Sequence, residues 1–463
     1  MNIVEEIWKR MDPAAAALHD GSVSMSYQQL HEEVEQLVVW LRSQIEIFPG
    51  MRIALVCATG HRYIIAGLAI MQVDACFVPV PDELSDAEKQ ELLTRTATHV
   101  IFQIDHSMQL IQRDAHATFA ESDFIALHPA LIRFSSGTTG SCKGVVISHE
   151  KLLARICAAN RALRIGPSDR IMWILPMAHH FAVSIILYLY HGACTVLDHT
   201  HVAETILAQC QSHDVTVMYA APYHYSLLTA NAKNITVPSL RLAVSTASAL
   251  SADLAENFRR TFGIPLTQAM GIIECGLPLI NLGGETEAAD AVGRPIDGYE
   301  ARLAQVVDGV GELHLRGPGF FDAYLDPWTL RNENEDPWFI TGDMARQDDA
   351  GRYYLCGKRV AVVNIGGMKL FPEEVEVIIA QHPLVKRCRV IGKAHAMLGQ
   401  IACAEVETID HVALPIAELK QLCRNQLSSW KIPALFLHSS AIPTTASGKI
   451  LRRELTSDPS NET

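Results

Sequence analysis

Short apolar strands alternate with amphipathic helices along most of this chain, and that rhythm restricts the fold more than any other feature. Ser26-Tyr27-Gln28-Gln29-Leu30 opens a helix with Leu37, Val38 and Leu41 on one face and Ser26 as its cap. Pro49-Gly50 turns the chain into a short buried strand, Ile53-Ala54-Leu55-Val56. A helix carrying Ile64, Ile65, Leu68 and Ile70 follows, then a strand reaching Phe77-Val78-Pro79. The same rhythm returns through residues 145–245, so the expectation is an α/β fold with a largely parallel sheet. After about residue 300 the texture changes. Ala301 to Leu315 reads as strands joined by the turn-rich Asp308-Gly309-Val310-Gly311, which suits a small β unit. Residues 358–463 form a compact α/β tail, with Val375, Val377, Ile378 and Ile379 on a buried helix face and Val390-Ile391 in a short strand. A chain of 463 residues exceeds one ordinary core. The expected organisation is a large N-terminal domain, 1–357, of α/β subdomains plus the small β unit, followed by a small α/β C-terminal domain, 358–463. Beyond Leu455 the residues are polar and read as frayed.

Charge and cysteine usage exclude several function classes. A formal net charge of -13 gives no general attraction to nucleic acid or to anionic membranes, so any bound phosphate requires a local site. Eleven cysteines stand singly, with no CxxC pair, which reads as free thiols in a reducing compartment. The acidic start Met1-Asn2-Ile3-Val4-Glu5-Glu6 lacks the order of a signal peptide, and the end Asn461-Glu462-Thr463 matches no targeting signal. The most apolar run, Phe181 to Leu197, is interrupted by His191-Gly192 and falls short of a membrane span. The expectation is a cytoplasmic protein without stable membrane insertion, monomeric or homodimeric.

The strongest single motif is Phe134-Ser135-Ser136-Gly137-Thr138-Thr139-Gly140-Ser141-Cys142-Lys143-Gly144. An apolar strand containing Leu131, Ile132 and Phe134 runs into five hydroxyls, three glycines and one lysine, and Val145-Val146-Ile147 follows as a second strand. Glycines let backbone approach an anion closely, hydroxyls and consecutive amides donate to phosphate oxygens, and lysine adds a point charge. The spacing is not that of GxxxxGK[ST], and a strand rather than a helix comes next. A Gly/Ser/Thr run on its own also suits a surface turn.

At this loop the chain resembles the adenylate-forming (ANL) superfamily of acyl- and aryl-CoA synthetases, peptide-synthetase adenylation domains and luciferase. The family pattern is [ST]-S-G-[ST]-T-G-x-P-K-G, met here except that Cys142 replaces proline. Further segments follow in family order, from about residue 20 to Leu455. Pro176-Met177-Ala178-His179, continued by His180, Phe181 and Ala182, resembles the P-x-x-H segment at the mouth of the acyl pocket. Ser245-Thr246-Ala247-Ser248-Ala249-Leu250 resembles the small-residue strand beside acyl group and adenine. Met270-Gly271-Ile272-Ile273-Glu274 resembles Y-G-x-T-E, with Met270 for the adenine-stacking aromatic and Ile273 for the threonine at the α-phosphate. Trp338-Phe339-Ile340-Thr341-Gly342-Asp343 matches W-[FY]-x-T-G-D. Gly357-Lys358-Arg359 resembles the hinge, with Lys358 for the usual arginine and Val360 for the usual hinge Asp or Lys. Gly366-Gly367 begins the glycine loop, and Pro443-Thr444-Thr445-Ala446-Ser447-Gly448-Lys449 matches P-x-T-x-x-G-K.

The resemblance implies roles. Lys449 meets the carboxylate and α-phosphate during adenylation, Glu274 holds Mg²⁺, and Thr138 and Lys143 contact ATP phosphates with Ser135, Ser136, Gly137, Thr139, Gly140 and Gly144. Asp343 takes the ribose hydroxyls; Ala247, Met270, Gly271 and Ile273 flank the nucleotide; Lys358 and Arg359 lie at the hinge. His179, His180, Phe181, Ala182 and Ser245 face the acid, and Gly366 and Gly367 line the thiol tunnel once the mobile C-terminal domain has rotated. Two anions must approach each other in the first step, and a cation between them lowers that repulsion. The implied reaction joins a small carboxylic acid to a thiol through an acyl-adenylate, with ATP, Mg²⁺ and coenzyme A, or the phosphopantetheine of an acyl carrier protein.

Residue choices narrow the acid. Peptide-synthetase domains place an aspartate in F-D-x-S to hold an α-amine, and Phe181-Ala182-Val183-Ser184 has alanine there, so the expected acid has no α-amine. Ser245 to Leu250 is similar to S-A-G-E-A-L of benzoate-type ligases, and Ala247 narrows the tunnel, which points to an aromatic or short-to-medium acid. Two rivals remain open on sequence. A carrier-protein loader would use a basic patch, for which Lys386, Arg387 and Arg389 are the candidates; the same cluster suits CoA phosphates or a solvated face. A non-catalytic ligand-binding homologue is suggested by Met270, Ile273 and Val360 and opposed by Lys143, Glu274, Asp343 and Lys449.

Overall fold

The computed structural model describes residues 1–135, 143–232, 235–246, 250–282, 288–307, 309–333, 335–358, 363–370, 372–409 and 412–442. They form two compact units, with the chain passing from the larger to the smaller at about residue 360. Among the described residues no helix is long and apolar enough to cross a membrane, and the cysteines are free thiols, most of them buried.

The larger unit holds three sheets. One has nine strands, in the order Arg294–Pro295, Gly276–Ile280, Leu266–Ile272, Leu242–Ser245, Val217–Ala220, Arg170–Trp173, Cys194–Leu197, Ala16–Asp20 and Val23–Ser26. Its interior strands, from Leu266–Ile272 to Ala16–Asp20, are parallel, and antiparallel strands close both edges. The second has eight strands, ordered Trp328–Leu330, Ala323–Leu325, Lys143–Ser148, Pro129–Ser135, Cys76–Pro79, Arg52–Cys57, Val100–Ile104 and Met108–Gln112. Strand Arg52–Cys57 reads as a continuous apolar run because helices cover both faces of a parallel sheet; Ile53, Ala54 and Leu55 have no accessible surface. Helix Tyr27–Gln44 starts where expected, with Ser26 and Gln29 forming a reciprocal capping box. The third sheet, Glu300–Val307, Val310–Arg316, Phe339–Gln347 and Tyr353–Lys358, is antiparallel throughout and is the small β unit.

In the smaller unit, helix Pro372–Ile379 buries Val375, Ile378 and Ile379 against strands Val363–Ile365, Met368–Leu370, Val385–His395, Gly399–Thr408 and Leu435–His438. The short strand expected at Val390-Ile391 extends over eleven residues, Val385–His395. Lys386, Arg387 and Arg389 alternate with or flank Val385, Cys388 and Val390, so the strand is half-buried, and its polar outer face hid its length in the sequence.

Candidate active site

The strand Pro129–Ser135 returns antiparallel as Lys143–Ser148, pairing Ser135 with Lys143, Phe134 with Gly144 and Arg133 with Val145. The phosphate-loop residues Ser136, Gly137, Thr138, Thr139 and Gly140 lie outside the described residues. Gly144 is closely packed: a Cβ there would sit 3.0 Å from Leu325 Cβ. That close approach seats strand Ala323–Leu325 beside the hairpin, pairing Tyr324 with Val145.

Tyr324 leads directly to Glu274. Its hydroxyl donates to Glu274 Oε1 at 3.3 Å, and burial together with that carboxylate pushes the phenol far above its ordinary range, so it remains a donor. Among the described residues Oε2 of Glu274 accepts no hydrogen bond, which leaves a hard oxygen for a cation. Several backbone groups around it are engaged. Phe321 N–H donates to Glu274 O at 2.9 Å, Tyr299 hydroxyl to Cys275 O at 2.8 Å, and Cys275 N–H to Ile272 O at 3.1 Å. Arg155, buried on the helix His149–Leu163, donates to Gly319 O at 2.8 Å, Ile273 O at 2.8 Å and Glu274 O at 3.4 Å. Met270 is buried on strand Leu266–Ile272 opposite Leu279, with Gly271 exposed beside it.

Asp343 is buried on strand Phe339–Gln347, opposite Lys358 on the neighbouring strand. Thr341 hydroxyl donates to Leu313 O at 2.8 Å and accepts from Asp343 N–H at 3.0 Å, and Gly342 between them has φ 69°, which fixes the bend at the Thr-Gly-Asp step.

The segment expected to face the acid, Met177–His180, runs into a five-residue π-helical turn, Phe181–Ile185, and then the α-helix Ile186–Tyr190. Such turns recur at functional sites. His179 Nε2 bonds Glu83, and His179 Nδ1 faces Arg133 Nη2 at 3.5 Å. Burial alone would raise the Glu83 carboxyl; the His179 bond, with the charges of His179 and Arg133, outweighs it and holds the carboxyl below its ordinary range. Burial pushes the Arg133 guanidinium down to about 10, against the pull of Glu274. Burial, with the charges of Arg133 and His179, keeps His180 well below its ordinary range and therefore neutral. Its ring lies 5.7 Å from Trp173 and 6.3 Å from Tyr219, which stack on each other at 6.2 Å. Phe181 is buried against Tyr63 and Phe77 at 5.8 and 5.4 Å, and it packs so closely on Gly67 that a Cβ there would meet its ring at 2.8 Å. Ser245 ends its strand fully buried, and Oγ has no hydrogen-bond partner among the described residues.

A family model described as AMP-binding enzyme matches residues 6–325, and one described as AMP-binding enzyme C-terminal domain matches 374–449. The chain belongs to the AMP-binding enzyme family. It is 25% identical over 474 residues to a feruloyl-CoA synthase of an Amycolatopsis species, covering 96% of each chain. It is 28% identical to the sulfoacetate–CoA ligase of Cupriavidus necator over 71% of this chain and 66% of that one. In fold it is similar to the o-succinylbenzoate CoA synthetase of Bacillus subtilis, with a TM-score of 0.83 at 21% identity over 97% of each chain. An amide bond synthetase from Marinactinospora thermotolerans superimposes with a TM-score of 0.82 at 21% identity, over 97% of this chain and 98% of that one. These findings place the chain in the adenylate-forming superfamily as an AMP-forming acid–thiol ligase of the acid:CoA ligase type.

In the C-terminal unit of this AMP-binding enzyme, Gly366 and Gly367 form the two-residue turn of a hairpin between Val363–Ile365 and Met368–Leu370, with φ 57° and 91°. Positive φ at both positions explains the glycine pair. The basic cluster is not a bare patch. Lys386 pairs with Glu407 at 2.7 Å, Arg387 with the same carboxylate at 3.7 Å, and Arg389 with Glu405 at 2.6 Å across the hairpin. Ala247, Arg359, Val360 and Lys449 lie outside the described residues, as do the side chains of Ser135, Lys143, Ala182 and Lys358.

Four residues were not singled out by the motifs: Arg133, Glu83, Tyr324 and Arg155. Arg133 carried a readable signal, a charge inside the apolar run Leu131-Ile132-Arg133-Phe134 two residues before the loop. Tyr324 and Arg155 did not, because a strand crossing and a helix bring them to Glu274 from 50 and 119 positions away.

Proposed function

We propose that this enzyme activates an aromatic or short-to-medium carboxylic acid without an α-amine as its acyl-adenylate and transfers the acyl group to coenzyme A. The observation that carries the reading is the junction of Glu274, Tyr324 and the Lys143–Ser148 strand, which puts a donor-held carboxylate next to the mouth of the phosphate loop. Glu274 would hold Mg²⁺ through Oε2, and a bound Mg²⁺ neutralises charge on ATP phosphates. Asp343 would accept from the ribose hydroxyls, since an ionised carboxylate is an acceptor-only partner for a diol. Lys449 would stand between the attacking carboxylate and the α-phosphorus as pyrophosphate leaves. The glycine turn at 366–367 would border the path of the thiol. The absence of an α-amine gains support from Arg133: its guanidinium, next to His179 in the segment assigned to the acid, would oppose a second cation.

CoA is favoured over a carrier protein because the basic residues available for docking an acidic partner are paired with Glu405 and Glu407. The test is Lys449→Ala. Acid-dependent pyrophosphate release should fall about 10²- to 10³-fold, with thiol transfer from a supplied acyl-adenylate less affected. Equal loss in both half-reactions, or no loss in either, would remove the assigned role.

A further inference from the structure

Resting on the ligase reading above, we propose that Arg133 is an anion receptor in the acyl pocket, and that the acid this enzyme activates carries a second negative group, a carboxylate or sulfonate, besides the carboxylate that reacts. Strand alternation sets the position. Leu131 packs in the core with Phe77, Tyr63 and Phe181, while Ile132 packs on the opposite face with Val78 and Val146, so Arg133 shares the face of Leu131. There its charge is felt by Tyr63, Glu83 and His180, and by Tyr219 from the nine-stranded sheet. It therefore lies where the two large sheets face each other, among groups of the acyl side.

The hydrogen-bond inventory indicates what is missing. A guanidinium offers five donors and no acceptor. Among the described residues Arg133 has one contact, His179 Nδ1 at 3.5 Å, and forms no ion pair within 4.0 Å; its buried Nε has no partner. Of the two carboxylates whose charge it feels, Glu83 is engaged by His179 and Glu274 Oε1 by Tyr324. Tyr63, which feels the Arg133 charge, has a buried hydroxyl without a partner among the described residues, as does Nε1 of Trp173, whose ring lies 5.7 Å from His180 and stacks on Tyr219. All three groups can donate, and the arginine and tryptophan nitrogens can only donate. A buried donor without an acceptor is costly, so a cluster of them matches a ligand rich in acceptor oxygens. Arg133 keeps some accessible surface, so such a ligand can reach it. The reacting carboxylate is a poorer match, because it must meet the α-phosphate at the loop and has Lys449 as its cation.

The test uses matched acids that differ only in the second anionic group, such as benzoate with isophthalate and butyrate with glutarate. Pyrophosphate release is measured for wild type, Arg133→Met and Arg133→Lys, and binding of each acid by calorimetry. Wild type should favour the dianion of at least one pair. In Arg133→Met the dianion-to-monoanion ratio of kcat/KM should fall on the order of 10²-fold, with partial recovery in Arg133→Lys. Preference for monoanions in wild type, or equal loss of both members of a pair in Arg133→Met, would overturn the proposal while leaving the ligase reading intact. Should no acid release pyrophosphate, the ligase reading fails, and calorimetry decides alone: dianion binding abolished by Arg133→Met supports the receptor, and no binding overturns it.

Discussion

Arg133 feels the charge of Arg155, and among the described residues neither has a carboxylate in ion-pair range, yet they are treated differently. Arg155 is spent: its donors end on three carbonyls, and two of those belong to the turn that carries Glu274. Arg133 is left with one marginal contact to a histidine and an unsatisfied Nε. The contrast separates two jobs. On the proposed reading, the backbone that carries Glu274 on the nucleotide side is held by hydrogen bonds from Arg155, Phe321 and Tyr299, as transition-state stabilisation by fixed groups requires. The proposed acyl side has buried polar atoms without partners among the described residues, and these would become paired when the right ligand enters.

If that division is right, changes on the nucleotide side should slow all acids alike, and changes on the acyl side should re-rank them. The largest effect is expected for Glu274→Gln, about 10²- to 10³-fold in pyrophosphate release for every acid, since a metal ligand contributes several kcal/mol. A selective loss would blur the division. Next comes Arg155→Met, which strips donors from the buried Gly319 carbonyl and the part-buried Ile273 carbonyl, at roughly 1–3 kcal/mol for each one left unsatisfied, while Glu274 O keeps the Phe321 N–H. A lowered denaturation midpoint should appear there, with the ranking of acids unchanged. Gly144→Ala should cost about 1–3 kcal/mol through overpacking on Leu325, read from the same denaturation curve.

The pH prediction concerns Glu83. Its carboxyl is lowered in the folded enzyme, so it contributes stability above the unfolded value of about 4.3 and loses it as pH falls through the folded one. Glu83→Gln should therefore flatten the acid limb of the stability–pH curve, while stability near pH 8 falls by the lost His179 bond. The smallest effect is expected for Ser245→Ala. Removing a buried, unpartnered hydroxyl should leave stability unchanged or slightly raised, so any loss of turnover would be assigned to the ligand.

The large architecture was legible because strands such as Ile53 to Val56 are short apolar runs and helix Tyr27–Gln44 shows a stripe of Leu30, Val34, Leu37, Val38 and Leu41, while the helix around Ile64 to Ile70 is apolar on all sides. The half-buried strand Val385–His395 was under-read because its outer residues are charged. Of the candidate site residues, Glu274 and Asp343 in the larger unit and Gly366 and Gly367 in the smaller were visible in the sequence as members of local patterns. Their supports were not. Tyr324 and Arg155 reach Glu274 only through tertiary crossings, and hydrogen bonds between residues far apart leave no mark on spacing. Arg133 was visible and passed over, because its neighbours read as an apolar strand.

The most direct test of the account is pyrophosphate release from MgATP by the wild-type enzyme across aryl, short, medium and long acids, with and without CoA. The account predicts release with aryl or short-to-medium acids, increasing when CoA is added. Release with no acid in the panel, or an adenylate that forms and that CoA does not discharge, would contradict it.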